Sequence, residues 1–264
     1  MKEINDTNKA AWEEAFDKRC GDYGKDISEQ LTNDPLRFLD KPFRQELLKM
    51  SFKQKCVGQF CSNNGRELLG ISKHFECEGI GFDIAENMVE YANEVAKNLG
   101  INCSFVAKNI LDIPSEYDQT FDFLIVTVGA LCWFEDLHPF FEKASRCLKE
   151  GGRILVNEMH PLGNMLAVKT ESNFREDAPK NLVNSYFRKE PWIETDGMGY
   201  VAGEYESKPF ISFSHTMEEL FDSLVSNGLS IVRFMEFDED NAGLFDHLNH
   251  QGLPLSYLLI AKKG

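Results

Sequence analysis

Cations are scarce in this chain: 28 Lys and Arg stand against 43 Asp and Glu, a formal net charge of −15. Each phosphate gripped on a nucleic acid or an anionic membrane calls for a compensating cation. The imbalance therefore argues against both partners. Long apolar runs are also missing, since the longest, residues 123–134, is too short to cross a bilayer. The N-terminal Met1-Lys2-Glu3-Ile4-Asn5-Asp6 has no apolar core of the kind a secretion signal needs, so a cytoplasmic protein is expected. There is no C-x-x-C pair among the seven cysteines (Cys20, Cys56, Cys61, Cys77, Cys103, Cys132, Cys147). An odd set scattered through apolar patterns reads as reduced thiols used as small hydrophobes. Neither a disulfide framework nor a metal site is expected.

What is present is enough to build a core. With 264 residues and 42% hydrophobic composition the chain can form one large domain, or one domain with a lid. Residues 55–60, 79–83, 103–107, 122–128 and 153–158 read as strands. Between them lie helical stripes: Met88, Ala92, Val95 and Leu99 with Gly100 as a stop, then Leu137, Phe141, Ala144 and Leu148 closed by Gly151-Gly152. Short connections between alternating strands and helices imply a parallel sheet covered on both faces. The alternation breaks at Met159. The next fifty or so residues are rich in aromatics and charge without a steady period, which reads as an insertion. Regularity returns at Thr216, which forms a capping box with Glu219 before Leu220, Phe221, Leu224 and Val225. Residues 229–237 and 255–261 are then expected to pair as antiparallel strands. The organisation that follows is an N-terminal helical cap (1–52), a core (53–159 and 215–264) and an inserted lid (160–214).

The run Gly79-Ile80-Gly81-Phe82-Asp83-Ile84-Ala85-Glu86-Asn87-Met88 carries the most chemistry. An acid at the C-terminal edge of a parallel strand can accept hydrogen bonds from two vicinal ribose hydroxyls, and Ile84 beside it offers an apolar edge to an adenine ring. The plain alternative is that Asp83 caps the following helix. Upstream, Cys61-Ser62-Asn63-Asn64-Gly65 reads as a tight turn opening a helix whose free amides can meet a ligand.

With these elements placed, the chain resembles the class I S-adenosylmethionine-dependent methyltransferases, in particular a small-molecule subgroup of largely unassigned substrate. Residues 81–88 are similar to the family's acidic strand end. Phe105-Val106-Ala107-Lys108-Asn109-Ile110 resembles its adenine-binding segment, Phe121-Asp122 and Gly129-Ala130-Leu131-Cys132-Trp133 its fourth strand and the loop after it, and Leu148-Lys149-Glu150-Gly151-Gly152-Arg153 the turn before its fifth strand. The resemblance implies a Rossmann-like, doubly wound α/β fold. Its seven-stranded sheet would be mostly parallel with an antiparallel C-terminal strand, and the lid would follow the fifth strand. It also implies S-adenosylmethionine as cofactor, S-adenosylhomocysteine as product and a small-molecule acceptor.

On that basis the cofactor would be met by Cys61, Ser62, Asn63, Asn64, Gly65, Asp83, Ile84, Met88, Asn109, Ile110, Thr127 and Val128. Asn109 would accept from the adenine amino group, or else would merely end a strand by an Asx turn. Tyr23, Trp133, Trp192 and Tyr200 are the candidates for lining the acceptor. Trp12 belongs to an N-terminal helix that either closes over the cofactor or packs on the sheet. His160 and His215 are weak candidates for a general base. Cys132, with no base nearby, reads as filler rather than nucleophile.

One departure stands out: where the family has an acid and G-x-G-x-G, this chain has Gln59-Phe60-Cys61-Ser62-Asn63-Asn64-Gly65. Asn tolerates the left-handed backbone region, so Asn63 or Asn64 can replace a glycine, but Gln59 removes a negative partner for the cofactor's ammonium group. The rival reading is therefore a catalytically silent cofactor-binding or interaction protein.

Overall fold

The computed structural model describes residues 2–264. The chain opens with α1 (Lys2–Asp17), α2 (Ile27–Asn33) and α3 (Lys41–Leu47), then alternates through β1 (Cys56–Phe60), α4 (Arg66–Phe75), β2 (Glu78–Asp83), α5 (Glu86–Leu99), β3 (Cys103–Ala107), β4 (Phe121–Val126), α6 (Leu137–Cys147) and β5 (Leu148–Met159). The inserted segment holds β6 (Trp192–Glu194), α7 (Gly199–Ala202) and β7 (Phe210–Ser212), and α8 (Met217–Ser226), β8 (Leu229–Phe237) and β9 (Ser256–Lys263) complete the chain. The main sheet has the order β3-β2-β1-β4-β5-β9-β8. Strands β1 to β5 pair in parallel, and β9 runs antiparallel to both β5 and β8. The expected seven-stranded sheet and the pairing of the two last strands are thus present.

The strands are apolar on both sides because both faces are covered. Leu124 and Val126 lie in the core built with Phe140, Phe141, Leu220 and Leu224 of α6 and α8. Ile125 between them points to the opposite core, with Leu31, Phe43, Leu68 and Ala92 of α2 to α5. Chain order reverses between β1 and β4, which opens a crevice at their C-terminal ends, where open α/β sheets bind ligands.

Several boundaries differ from the sequence reading. Helix α6 ends at Cys147 and β5 begins at Leu148, opposite Phe121, before the Gly151-Gly152 pair read as the helix stop. A register shift between Phe121 and Phe123 absorbs the early start. Strand β4 stops at Val126, so Thr127 and Val128 lie in the loop beyond it. In the N-terminal region, α2 and α3 pack into the sheet core, whereas α1 joins a separate cluster through Ala11, Trp12, Ala15 and Phe16. The inserted segment divides too. Leu166 packs on Phe245, Leu248 and Leu255 of the β8–β9 link, while Val201 and Phe210 pack on α1. Among the described residues no helix is long and apolar enough to cross a membrane.

Candidate active site

The loop after β1 is shaped by three residues in the left-handed region: Cys61 (φ 54°), Asn63 (φ 50°) and Gly65 (φ 78°). Asn63 is the glycine substitute its side chain suggested; Cys61 had no such signal. Two backbone bonds hold the turn, from the Ser62 amide to the Phe82 carbonyl (2.9 Å) and from the Gly65 amide to the Ser62 carbonyl (2.8 Å). Gly65 is required on steric grounds as well, because a Cβ there would lie 2.6 Å from the Phe105 ring.

Asp83 joins this loop to the next one. Its Oδ2 accepts from the Asn63 amide (2.7 Å) and its Oδ1 from the Ala85 amide (3.0 Å). The N-cap of α5 is Ala85, so Asp83 orders the turn ahead of the helix instead of capping it. A carboxylate has about four acceptor sites, so these amides do not exhaust the acceptor capacity of Asp83. Burial pushes the carboxyl above its ordinary range, against the backbone amides of Ala85, Asn63 and Ile84. Beyond β3, Asn109 Oδ1 caps the short 3₁₀ turn Ile110–Asp112 by accepting from the Leu111 amide (3.0 Å). The Lys108 amide reaches back to the Asp83 carbonyl (2.7 Å). Ile84 is half-buried and Met88 fully buried beside them.

Three buried side-chain oxygens of this stretch, Gln59 Oε1, Ser62 Oγ and Asn64 Oδ1, have no partner among the described residues. Each such group costs about 1 to 3 kcal/mol if left unsatisfied. Gln59 is anchored by its Nε2, which donates to Thr127 Oγ1 (3.2 Å).

The loop after β4 is anchored by a residue that the sequence did not mark. Glu158, at the end of β5, accepts from the amides of Gly129 (2.9 Å), Ala130 (2.8 Å) and Leu131 (2.9 Å). Burial raises its pKa while these amides oppose the rise. Only its place after the buried run 154–157 set it apart, and an acid there reads equally well as a strand end. The loop presents Cys132 and Trp133. Burial pushes the Cys132 thiol well up, away from the reactive thiolate.

Opposite this loop, Trp12 of α1 meets Trp133 and Phe210 edge-on, with ring centroids 5.5 Å away in each case, and Trp133 lies 6.2 Å from Phe210. Asn8 of α1 joins the hairpin through its side chain: Nδ2 donates to the Ile211 carbonyl and Oδ1 accepts from the Ile211 amide, both at 2.8 Å. Tyr23 donates to Asn63 Oδ1, lies under the Arg66 guanidinium and stacks edge-on with Tyr200 at 5.8 Å. Tyr23 is therefore tied to the cofactor loop. Tyr200 is 58% exposed, its ring covered on one side by Tyr23. Trp192 donates from Nε1 to Ser214 Oγ (2.9 Å), at the other end of β6 from Glu194.

The two histidines flank the inserted segment. His160 Nδ1 accepts from the Leu162 amide (3.1 Å) and its Nε2 lies 3.2 Å from Glu236. His215 Nε2 lies 2.9 Å from the Phe134 carbonyl, and its Nδ1 4.0 Å from Glu219. Burial lowers the pKa of both. Both nitrogens of His160 are engaged, which leaves neither free to take a substrate proton.

An acid at the end of β2, a left-handed turn after β1 and a crevice between β1 and β4 define a Rossmann-like protein that binds a nucleoside cofactor. Residues 59–196, just over half of the chain, match the family model of a methyltransferase domain, and the chain belongs to the class I S-adenosylmethionine-dependent methyltransferases. Phosphoethanolamine N-methyltransferase 3 of Arabidopsis thaliana is 26% identical over 114 residues, which are 43% of this chain and 22% of that protein. The chain thus spans under a quarter of that relative. A solved S-adenosylmethionine-dependent methyltransferase of Mesorhizobium loti superposes with a TM-score of 0.61 at 16% identity, covering 83% of this chain and 96% of its own. Geranyl diphosphate C-methyltransferase of Streptomyces coelicolor, solved with Mg2+, geranyl diphosphate and S-adenosyl-L-homocysteine, gives 0.59 at 15% identity over 92% and 88%. At such identities the solved structures establish the fold.

Proposed function

We propose that this methyltransferase acts on a small molecule bound between the Trp133 loop and the inserted hairpin, and that it works in the cytoplasm. The observation that carries the site is Asp83, whose carboxylate is held by the Asn63 and Ala85 amides with acceptor capacity to spare. Asp83 would hold the ribose hydroxyls and Ile84 the adenine edge. The Ile110 amide would face the ring, while the second lone pair of Asn109 Oδ1 would accept from the adenine amino group. Gln59 Oε1, unpartnered and fixed through Thr127, suits the cofactor's ammonium group as a neutral acceptor. When bound, S-adenosylmethionine supplies a methyl group already activated by its sulfonium. The chain's own task is to hold the acceptor in line at about 3 to 3.5 Å and to keep water out. The wall of Trp12, Trp133 and Phe210 is built for the second part of that task. The rival reading, a silent cofactor-binding protein, is not favoured: the family match spans every residue assigned above to the cofactor, and the altered glycine loop keeps a left-handed turn.

Calorimetry with S-adenosylhomocysteine tests the reading. The wild-type protein should bind it, and Asp83→Ala should weaken binding by about 1.5 to 3 kcal/mol, the scale of hydrogen bonds to a charged group. No binding by the wild type, or an unchanged dissociation constant in the variant, would refute the assignment.

A further inference from the structure

The N-terminal segment and the later part of the insertion are joined to each other. The Cys20 amide, beyond α1, donates to the Val201 carbonyl of α7 (2.9 Å), the Lys208 amide donates to Glu14 Oε2 (3.0 Å), and Asn8 holds Ile211 of β7. Residues 2–23 and 199–213 therefore form one cover. On one side of Asp83 it packs with Ala85 and Met88 through Trp12, Phe16, Val201 and Phe210. On the other side Tyr23, only 7% exposed, donates its hydroxyl to Asn63 Oδ1, with its ring under the Arg66 guanidinium (4.9 Å) and against Tyr200 (5.8 Å). Burial pushes that hydroxyl well above its ordinary range, so it remains a donor.

Asn63 serves the loop through its backbone, with φ 50° and an amide that donates to Asp83 Oδ2 (2.7 Å). A glycine would adopt the same backbone and offer Tyr23 nothing. The side chain is an addition that ties the cover to the residue beside the ribose-binding carboxylate. We propose that Tyr23 and Asn63 form a latch that sets how fast the cofactor enters and leaves, and not how tightly it is held. This rests on the methyl-transfer reading above and adds regulation of the same site. The latch and the joints of the cover are all made within the chain, so seating the cover requires no ligand. An equilibrium that the ligand does not favour leaves affinity unchanged. What the latch alters is the fraction of time the cover is lifted, and entry and exit scale together with that fraction.

The test is stopped-flow tryptophan fluorescence with S-adenosylhomocysteine, alongside calorimetry, on the wild type, Asn63→Gly, Tyr23→Phe and the double variant. One net hydrogen bond shifts an equilibrium by about fivefold. Each single variant should therefore release S-adenosylhomocysteine about fivefold faster and bind it correspondingly faster, with Kd within threefold of the wild type. The double variant should be no faster than the faster single one, because both changes remove the same bond. Hydrogen exchange in the free proteins should quicken across residues 18–23 and 199–202 while strands β1 to β5 keep their protection, which shows that the variants are folded. Tyr23→Phe, which leaves the loop intact, decides alone if Asn63→Gly loses that protection. Release rates within twofold of the wild type, effects that multiply in the double variant, or a Kd that weakens as much as release quickens would overturn the latch and leave methyl transfer standing. Failure of the wild type to bind S-adenosylhomocysteine would overturn the underlying reading and the latch with it.

Discussion

At the cofactor end of the crevice, the groups that would meet a ligand are held by their neighbours in the sheet. Asp83 is pinned by amides from the loops that follow β1 and β2, and Gln59 is pinned by Thr127 just beyond the adjacent strand. At the proposed acceptor end, Trp12, Trp133 and Phe210 come from three distant stretches of chain, and the Asn8–Ile211 bonds join residues 203 positions apart. The first end follows from strand order, which every member of the fold must keep. The second is assembled by a helix ahead of the sheet and a segment inserted into it, and both can change without disturbing the sheet. On the proposed reading, acceptor choice would be carried by the part of the molecule that the fold constrains least.

The strongest way to break this comparison is to remove the anchor that the two ends share. Glu158 is a sheet residue, but the loop it holds presents Trp133 to Phe210 of the inserted hairpin. Replacing Glu158 by Ala leaves three amides without their acceptor, each costing about 1 to 3 kcal/mol where water cannot reach. We expect unfolding free energy in urea to fall by about 3 kcal/mol or more, with Glu158→Gln recovering part of the loss. A drop of under about 1 kcal/mol would mean that the loop is held by its own packing.

The same division explains what could be read from the sequence. Strand alternation, the acid at Asp83 and the turn at residues 61–65 are local patterns, and they placed the sheet and one end of the site. Asn63 was legible as a glycine substitute because its side chain tolerates positive φ; Cys61 was not, because its conformation is imposed by the bonds around it. Glu158 and Asn8 escaped notice because their partners lie 27 or more positions away and are backbone groups, which leave no residue signature. The histidines stood out by type, but type says nothing about whether a ring nitrogen is already engaged, as both are in His160.

Loosening only the acceptor end sharpens the contrast. Asn8→Ala removes both bonds to Ile211 at a site that is 5% exposed. Two net hydrogen bonds are worth about 1 to 3 kcal/mol, but the loss should appear locally. Hydrogen exchange and proteolysis should quicken across residues 192–213, while S-adenosylhomocysteine affinity stays within about threefold. If cofactor affinity falls as far as it does in Asp83→Ala, the two ends are a single cooperative unit and the comparison fails.

The mildest perturbation is acid, applied at the two points where the insertion joins the core. His160 stands at its start and His215 at its end, and burial holds both below the ordinary His value, although Glu236 and Glu219 pull the other way. A His with a lowered folded pKa is kept neutral in the folded protein, while the unfolded chain takes up the proton more readily. Its contribution to stability is therefore complete above the ordinary value of about 6.5 and is lost as pH falls through that value toward the lowered one. Carboxylates titrate over part of the same range, so the informative quantity is a difference between proteins. Melting temperature should drop between pH 7.5 and 5.5 by more in the wild type than in the His160→Gln/His215→Gln double variant. The excess should be no greater than about 4 °C, the shift that about 1 kcal/mol produces in a chain of roughly this size. Equal slopes in the two proteins would mean that neither ring's protonation is coupled to the seating of the insertion. A larger slope in the variant would mean that the histidines gain protons on folding, through Glu236 and Glu219, so that acid tightens the junction instead of loosening it.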